Sequence, residues 1–349
     1  MRASVLGAAD VFQRLRGSVN VGAVHAGARK PFRFFLCGDL GLVGELRSLL
    51  LSGEAEGFDR MTAAALLETI DPNQRVLDTS EARAVIFLGR TGDRPGARLD
   101  LLAPLGLPIF ALLVDPHVAA TSGPTQPPAA GRVDDYIVPD LSRDALKARF
   151  LPHLIECCKG IEIAVGRQLP FLRETVAAKL TRDAALNALK ISGASAVVDQ
   201  VPLLGAVLGA FASAGDMVAI TGVQMTLMMQ IGATFGKDPD LGRVWELLPI
   251  VGGGFGWRAL SRELAGFIPV AGLFIKAAIA YAGTIVVGEG ATFYFQHGRH
   301  MTPADGSRLY EEAKASALTF ARDTFAKLRR GGNGNGNGKN GTDGHDGHT

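Results

Sequence analysis

Cysteine, net charge and an N-terminal apolar core are what this sequence has least of. Its three cysteines, Cys37, Cys157 and Cys158, cannot build a disulfide framework, and two of them are adjacent. A reduced, cytosolic setting is therefore the expectation for the residues around them. Thirty-six Lys and Arg against 34 Asp and Glu leave a net charge of +2, so nothing global argues for nucleic acid as a partner. Residues 1–30 hold a short amphipathic arm (Val5, Val11, Phe12, Leu15) with Arg14, Arg16 and Arg29, and never assemble the uninterrupted core of a signal peptide. Secretion is not expected, and any insertion into a membrane must come from the interior of the chain. At 349 residues there is enough chain for two domains, each with its own core.

Nucleotide chemistry is absent from a region that keeps its outline. Pro31 to Gly38 reads as a buried strand running into a glycine turn, and Gly41 to Leu51 has helical character. Strand, glycine loop and helix form the context of a phosphate-binding loop. Such a loop needs a lysine for the phosphates and a hydroxyl for magnesium. Counted from Gly38, those places carry Val43, Gly44 and Glu45; with one inserted residue they carry Gly44, Glu45 and Leu46. Gly38, Gly41 and Gly44 remain as weak cofactor-binding candidates, and no cofactor is expected.

Apolar runs at 83–89 and 107–115, with a shorter one at 136–138, suit central parallel strands. Helical segments at 61–70, 97–105 and 142–159 alternate with them, which predicts a small parallel α/β layer. Asp78-Thr79-Ser80-Glu81 stands where a GTPase would place Asp-x-x-Gly, with Glu for the glycine. Asp115-Pro116-His117 stands where Asn-Lys-x-Asp would read guanine. The 117–131 stretch is expected to be a mobile surface excursion.

A basic helical stretch follows at 161–191, with Pro170 starting or kinking a helix. It reads either as a solvated face or as the cytoplasmic flank of a membrane segment. Beyond it, Val201-Pro202-Leu203-Leu204-Gly205, Leu248-Pro249-Ile250-Val251-Gly252 and Ile268-Pro269-Val270-Ala271-Gly272 repeat one apolar-Pro-apolar-apolar-Gly phrase. Proline costs nothing in a first helical turn. The first and third phrases head long apolar runs, and the second reads as a bend.

Residues 201–235 are expected to form a hairpin of two helices turning at Ser213–Asp216, with Asp216 capping the second. Gly205 and Gly209 offer a flat face for close helix contact. Gln224, among Met225, Met228 and Met229, requires a partner on another helix. Phe267 to Gly288 gives about 22 residues, a helix of about 33 Å. Its single charge, Lys276, costs on the order of 3 kcal/mol at a bilayer centre unless it reaches water or pairs, Asp216 being the partner on offer. Trp257 with Arg258 and Arg262 reads as an interfacial anchor. His297 and His300 have metal-compatible spacing without a third ligand, so no metal is expected. Residues 303–330 read as an amphipathic helix and 331–349 as a low-complexity, disordered tail.

These residues resemble the YcjF-like, GTPase-associated membrane domain that follows Era-type GTPase domains in bacteria. The resemblance covers about residues 160–298, through Pro202–Gly205, Asp216, Thr221-Gly222-Val223-Gln224-Met225, Gly232–Gly236, Trp257-Arg258, Ile268–Gly272 and Ala282-Gly283-Thr284 to Gly288. It implies association with the inner, cytoplasmic membrane. The structural or membrane-domain positions it marks are Pro202, Gly205, Asp216, Thr221, Gln224, Trp257, Arg258, Pro269, Gly272, Lys276 and Gly283.

The expected organisation is an arm at 1–30, a degenerate GTPase-like, P-loop/Rossmann-like α/β domain at 31–159 and a basic linker helix at 160–191. An all-α, membrane-embedded helical domain at 192–298, an amphipathic helix at 299–330 and the tail at 331–349 follow. The expected function is non-enzymatic interaction or scaffolding at the bilayer, with a protein partner or a second copy of the chain. The N-terminal domain and the tail are expected in the cytosol. An atypical nucleotide-binding switch coupled to a membrane domain and a soluble helical oligomer are the alternatives.

Overall fold

The computed structural model describes residue 17, residues 19–53, 59–71, 78–92, 99–198, 205–240, 242 and 272–299, and scattered positions from 302 to 319; along 193–198, 205–217 and 272–279 it describes the backbone alone. The described chain begins with helix α1 (Val21–Gly27), capped by the Asn20 side chain. Strand β1 (Arg33–Gly38), helix α2 (Leu40–Leu50), helix α3 (Arg60–Ala65) and strands β2 (Leu67–Thr69), β3 (Ala82–Arg90), β4 (Ile109–Val114) and β5 (Val133–Val138) follow. Helices α4 (Arg143–Lys147), α5 (Phe150–Glu156), α6 (Glu162–Gln168), α7 (Arg173–Val198), α8 (Gly205–Thr234) and α9 (Gly272–His297) complete the described elements. The chain is thus a parallel α/β layer followed by a helical part.

The five strands are parallel and lie in the order β2-β1-β3-β4-β5. Strands buried on both faces read as unbroken apolar runs, which is why 83–89 and 107–115 were legible. Strand β2 falls inside the stretch expected to be helical at 61–70. That stretch splits into α3 and a three-residue edge strand held by backbone pairing to Phe34–Leu36. Three residues are too short to show an alternating pattern.

One sheet face carries Phe34, Leu36, Ile86, Leu88, Phe110, Leu112 and Tyr136; the other carries Phe35, Cys37, Val85, Phe87, Ile109 and Ala111 beneath Leu99 and Leu102. On the first face the Phe110 ring lies 5.4 Å from Tyr136 and 5.6 Å from Phe150. That face continues without a break into Ile163, Val165, Val176, Leu180, Met225, Met228, Ile231, Val287 and Ala291 of the helices. Sheet and helices share one core.

The N-terminal half of α7 and the C-terminal halves of α8 and α9 meet at the sheet. Glu174 bonds Gln296 while Thr181 abuts Gly288, so α7 and α9 run antiparallel. Their approach at that crossing is close: a Cβ on Gly288 would sit 2.2 Å from the Thr181 hydroxyl. The basic stretch at 161–191 breaks at Leu169 and resumes through a 3₁₀ turn at Pro170–Leu172 into α7. Much of that helix is buried, through Val176, Ala177, Leu180, Ala185 and Ala188. Its charges are largely paired: Lys179 with Glu162 and Asp183, and Arg182 with Glu156.

A second expectation is overturned as well. Ser213–Asp216 makes no turn and leaves no helix start for Asp216 to cap, because α8 is one continuous helix of 30 residues. Gly and Asp each lower helix propensity by less than about 1 kcal/mol, which the flanking Ala, Met and Leu outweigh. The 117–131 stretch, expected to be a mobile excursion, is tied to its surroundings at several points. Ser122 exchanges two 2.9 Å backbone hydrogen bonds with Ile137, Thr121 donates to the Ala145 carbonyl, and Arg149 donates to that of Pro124. Among the described residues no helix is long and apolar enough to cross a membrane.

Candidate functional site

In doubly wound sheets ligands bind outside the carboxyl ends of the strands, where the strand order reverses. Here the reversal lies between β1 and β3. Strand β1 ends at Gly38 and α2 begins at Leu40, so Asp39 alone makes the turn. Its carboxylate accepts a hydrogen bond from Leu42 N at 3.0 Å, and its own N–H donates to the Leu88 carbonyl at 2.9 Å. The helix N-terminus that a phosphate would seek is therefore capped by a carboxylate from the chain itself.

Gly38 has φ 110°, and a Cβ there would lie 2.0 Å from the Leu88 carbonyl oxygen. Its glycine is required by the close approach of β1 to β3. Gly41 and Gly44 lie within α2, both exposed, and form no loop. Across the crevice Asp115 accepts from His117 N and from the Thr91 hydroxyl, each at 3.0 Å. The His117 amide and then the Thr91 hydroxyl hold its carboxyl below the usual carboxylate range. This edge presents two carboxylates, each held by its own neighbours, with exposed Arg90 at the end of β3.

Asp78–Glu81 is not at this edge. The Glu81 carbonyl accepts from Arg33 N at the start of β1, and Ala82 opens β3, so the stretch sits at the opposite end of the sheet. Strand polarity, invisible before the sheet is assembled, decides that placement.

On the helical side, Gln224 meets the partner it requires. Its Nε2 donates to Thr284 Oγ1 of α9 at 3.3 Å, and Thr284 donates onward to the Ala280 carbonyl at 2.8 Å, all buried. Gly205 and Gly272 are the first described residues of α8 and α9, and the rest of the first and third Pro-containing phrases lies outside the described residues. Thr221 is half-buried on α8 and Gly283 is buried on α9. The side chains of Asp216 and Lys276, and all of Pro202, Trp257, Arg258, Pro269 and His300, lie outside the described residues. His297 is exposed and stacked on Phe293. Among the described residues no three His, Cys, Asp or Glu gather as a metal site.

Sequence reasoning missed a basic cleft of about 360 Å³ at the seam between sheet and helices. Ser52, Gly53 and Arg143 come from the α/β side, and Arg173, Lys237 and Gln296 from the helices. Arg143 lies 4.2 Å over the Phe171 ring and donates to the Phe171 carbonyl. Arg173 is only 7% exposed. Its Nε and one terminal nitrogen donate to the carbonyls of Gly166 and Arg167 at 3.1 and 3.4 Å, closing the end of α6. Burial, then the neighbouring Arg167, lowers its pKa to about 10.

Among the described residues no carboxylate pairs with Arg173, whereas Glu174 beside it is engaged by Gln296, Lys147 and Arg143 at 2.7, 3.4 and 3.7 Å. Nothing local in the sequence announces this cleft, because its residues are scattered from 52 to 296.

Comparison of the chain with protein-family models, with curated proteins and with solved structures finds no match to any.

Proposed function

We propose that this chain is a non-enzymatic, membrane-associated interaction module, an α/β platform set on helices whose apolar far ends meet lipid. The observation that carries the non-enzymatic part is Asp39, which makes the whole β1–α2 turn and fills the helix N-terminus with its own carboxylate. The place a phosphate would take at that helix N-terminus is filled by the chain's own carboxylate.

The membrane part rests on composition and on the direction of the helices. Side chains toward the sheet, such as Met225, Ile231 and Val287, are buried in protein. Toward the other ends of these helices, residues 193–198, 205–223 and 272–279 carry only two charges, Asp216 and Lys276. Because no described helix is long and apolar enough to cross a membrane, the association we propose is with one leaflet rather than a span. The reading places the α/β domain and the tail on the cytosolic side of the inner membrane, with a protein partner or a second copy of the chain as the object of the platform.

Washing isolated membranes tests it. The chain is expected to stay with the membrane fraction through high salt and alkaline carbonate and to be released by detergent. Release by carbonate would move the reading to a soluble helical oligomer. Titration of the full chain with GTP and ATP is expected to show no saturable micromolar binding, and such binding would reinstate a nucleotide switch.

A further inference from the structure

We propose that the seam cleft binds the phosphate group of a small soluble organic phosphate, with Arg173 and Lys237 holding its oxygens from the helices and Arg143 from the α/β side. Three cations line the cleft against one carboxylate, Glu174, which takes hydrogen bonds from Gln296 and Lys147 and lies 3.7 Å from Arg143. Arg173 is the decisive residue. A guanidinium this buried is costly unless a negative charge meets it, and among the described residues none does. Its remaining terminal nitrogen makes no hydrogen bond there. Its planar fork matches a phosphate edge.

Pro170, Phe235 and Phe295 line the same cleft and give the organic part an apolar wall. Pockets of this size favour the seam between two structural units. A ligand here would touch Ser52 and Arg143 on one side and Lys237 and Gln296 on the other, and so couple the platform to its helices.

The same phosphate chemistry could come from a lipid headgroup. The cleft lies at the sheet end of α7, α8 and α9, whereas the apolar stretches lie at their opposite ends. With α8 spanning about 45 Å, a headgroup is out of reach when those far ends hold the membrane. The soluble source therefore rests on the membrane reading; the anion chemistry does not.

The test is calorimetric titration of the full detergent-solubilised chain with inorganic phosphate and with phenyl phosphate, in chloride buffers of matched ionic strength. A parallel arm measures flotation with phosphatidylcholine vesicles containing phosphatidic acid. Saturable binding is expected, tighter for phenyl phosphate. Arg143→Gln and Lys237→Gln, both at solvent-accessible positions, should each weaken it about tenfold, as loss of one charge-assisted hydrogen bond does. Arg173→Lys, which keeps the charge and loses the fork, should weaken it as well. Arg173→Gln is less informative because Arg173 also closes the end of α6.

Absence of saturable binding by the folded chain, or unchanged binding in both Gln variants, overturns the proposal. Loss of flotation in those variants without any binding of soluble phosphate also overturns it, in favour of a headgroup site. A chain that binds phenyl phosphate yet washes off with carbonate keeps the cleft and loses the membrane reading; the reverse result does the opposite.

Discussion

Two places in this molecule could receive an anion, and they differ in opposite ways. The crevice at the carboxyl ends of β1 and β3 has the topology, but Asp39 caps the helix N-terminus there from within the chain, and Asp115 at the end of β4 is likewise held by its own neighbours. The seam cleft has no recognisable motif and keeps a buried cation, Arg173, that pairs with no carboxylate among the described residues. Topology says where a fold family tends to place ligands. Unsatisfied chemistry says where a particular chain still can. Here the two disagree, and the chemistry is the better guide.

The comparison can be broken at several points. The largest effect is expected at Gly38. An alanine there would drive Cβ into the Leu88 carbonyl at a positive φ, so Gly38→Ala should lower stability by about 3 kcal/mol or more, read from the urea midpoint. A loss below about 1 kcal/mol would show that the crevice has slack that a ligand could use. Next is Met225→Ala, expected to cost about 2–5 kcal/mol. Because Met225 belongs to the core that includes the sheet face, sheet and helices should still unfold in one transition. Two separate transitions would divide the molecule at the seam.

Smaller still is Thr284→Val, which strands the buried Gln224 amide and should cost about 1–3 kcal/mol. Gln224→Leu added to it should recover part of that loss. Asp39→Ala removes the cap of α2 and should cost about 1 kcal/mol without creating nucleotide binding. Nucleotide binding by that variant would mean the cap alone had closed the crevice.

The gentlest effect is with pH. Burial is the main cause holding the His153 pKa below its ordinary 6.5, while its Nδ1 shares a 2.8 Å hydrogen bond with the hydroxyl of buried Tyr136. Below pH 6.5 the unfolded chain binds this proton more readily than the folded one, so stability falls as pH drops through that value. His153→Gln should flatten that part of the stability–pH curve.

The sheet was legible because Val85–Leu88 and Ile109–Val114 are buried on both sides and read as continuous apolar runs. The glycine turn at Gly38 was legible too, though its cause, contact with Leu88, belongs to a strand some 50 residues later in the chain. Gln224 could be read as needing a partner, yet nothing in the sequence could name Thr284. The continuous α8 was misread because Ser213–Asp216 looks like a turn when local residues are weighed without tertiary packing. The seam cleft was unreadable in principle. Arg143, Arg173 and Lys237 share no spacing, and only the docking of helices on the sheet brings them together.

Hydrogen exchange on the full chain, with phenyl phosphate and separately with GTP, addresses both places at once. Phenyl phosphate is expected to slow exchange at the start of α7 and around Phe235–Lys237, and neither ligand should alter residues 39–44. Slowed exchange at 39–44 with GTP, with no change along the seam, would contradict the account.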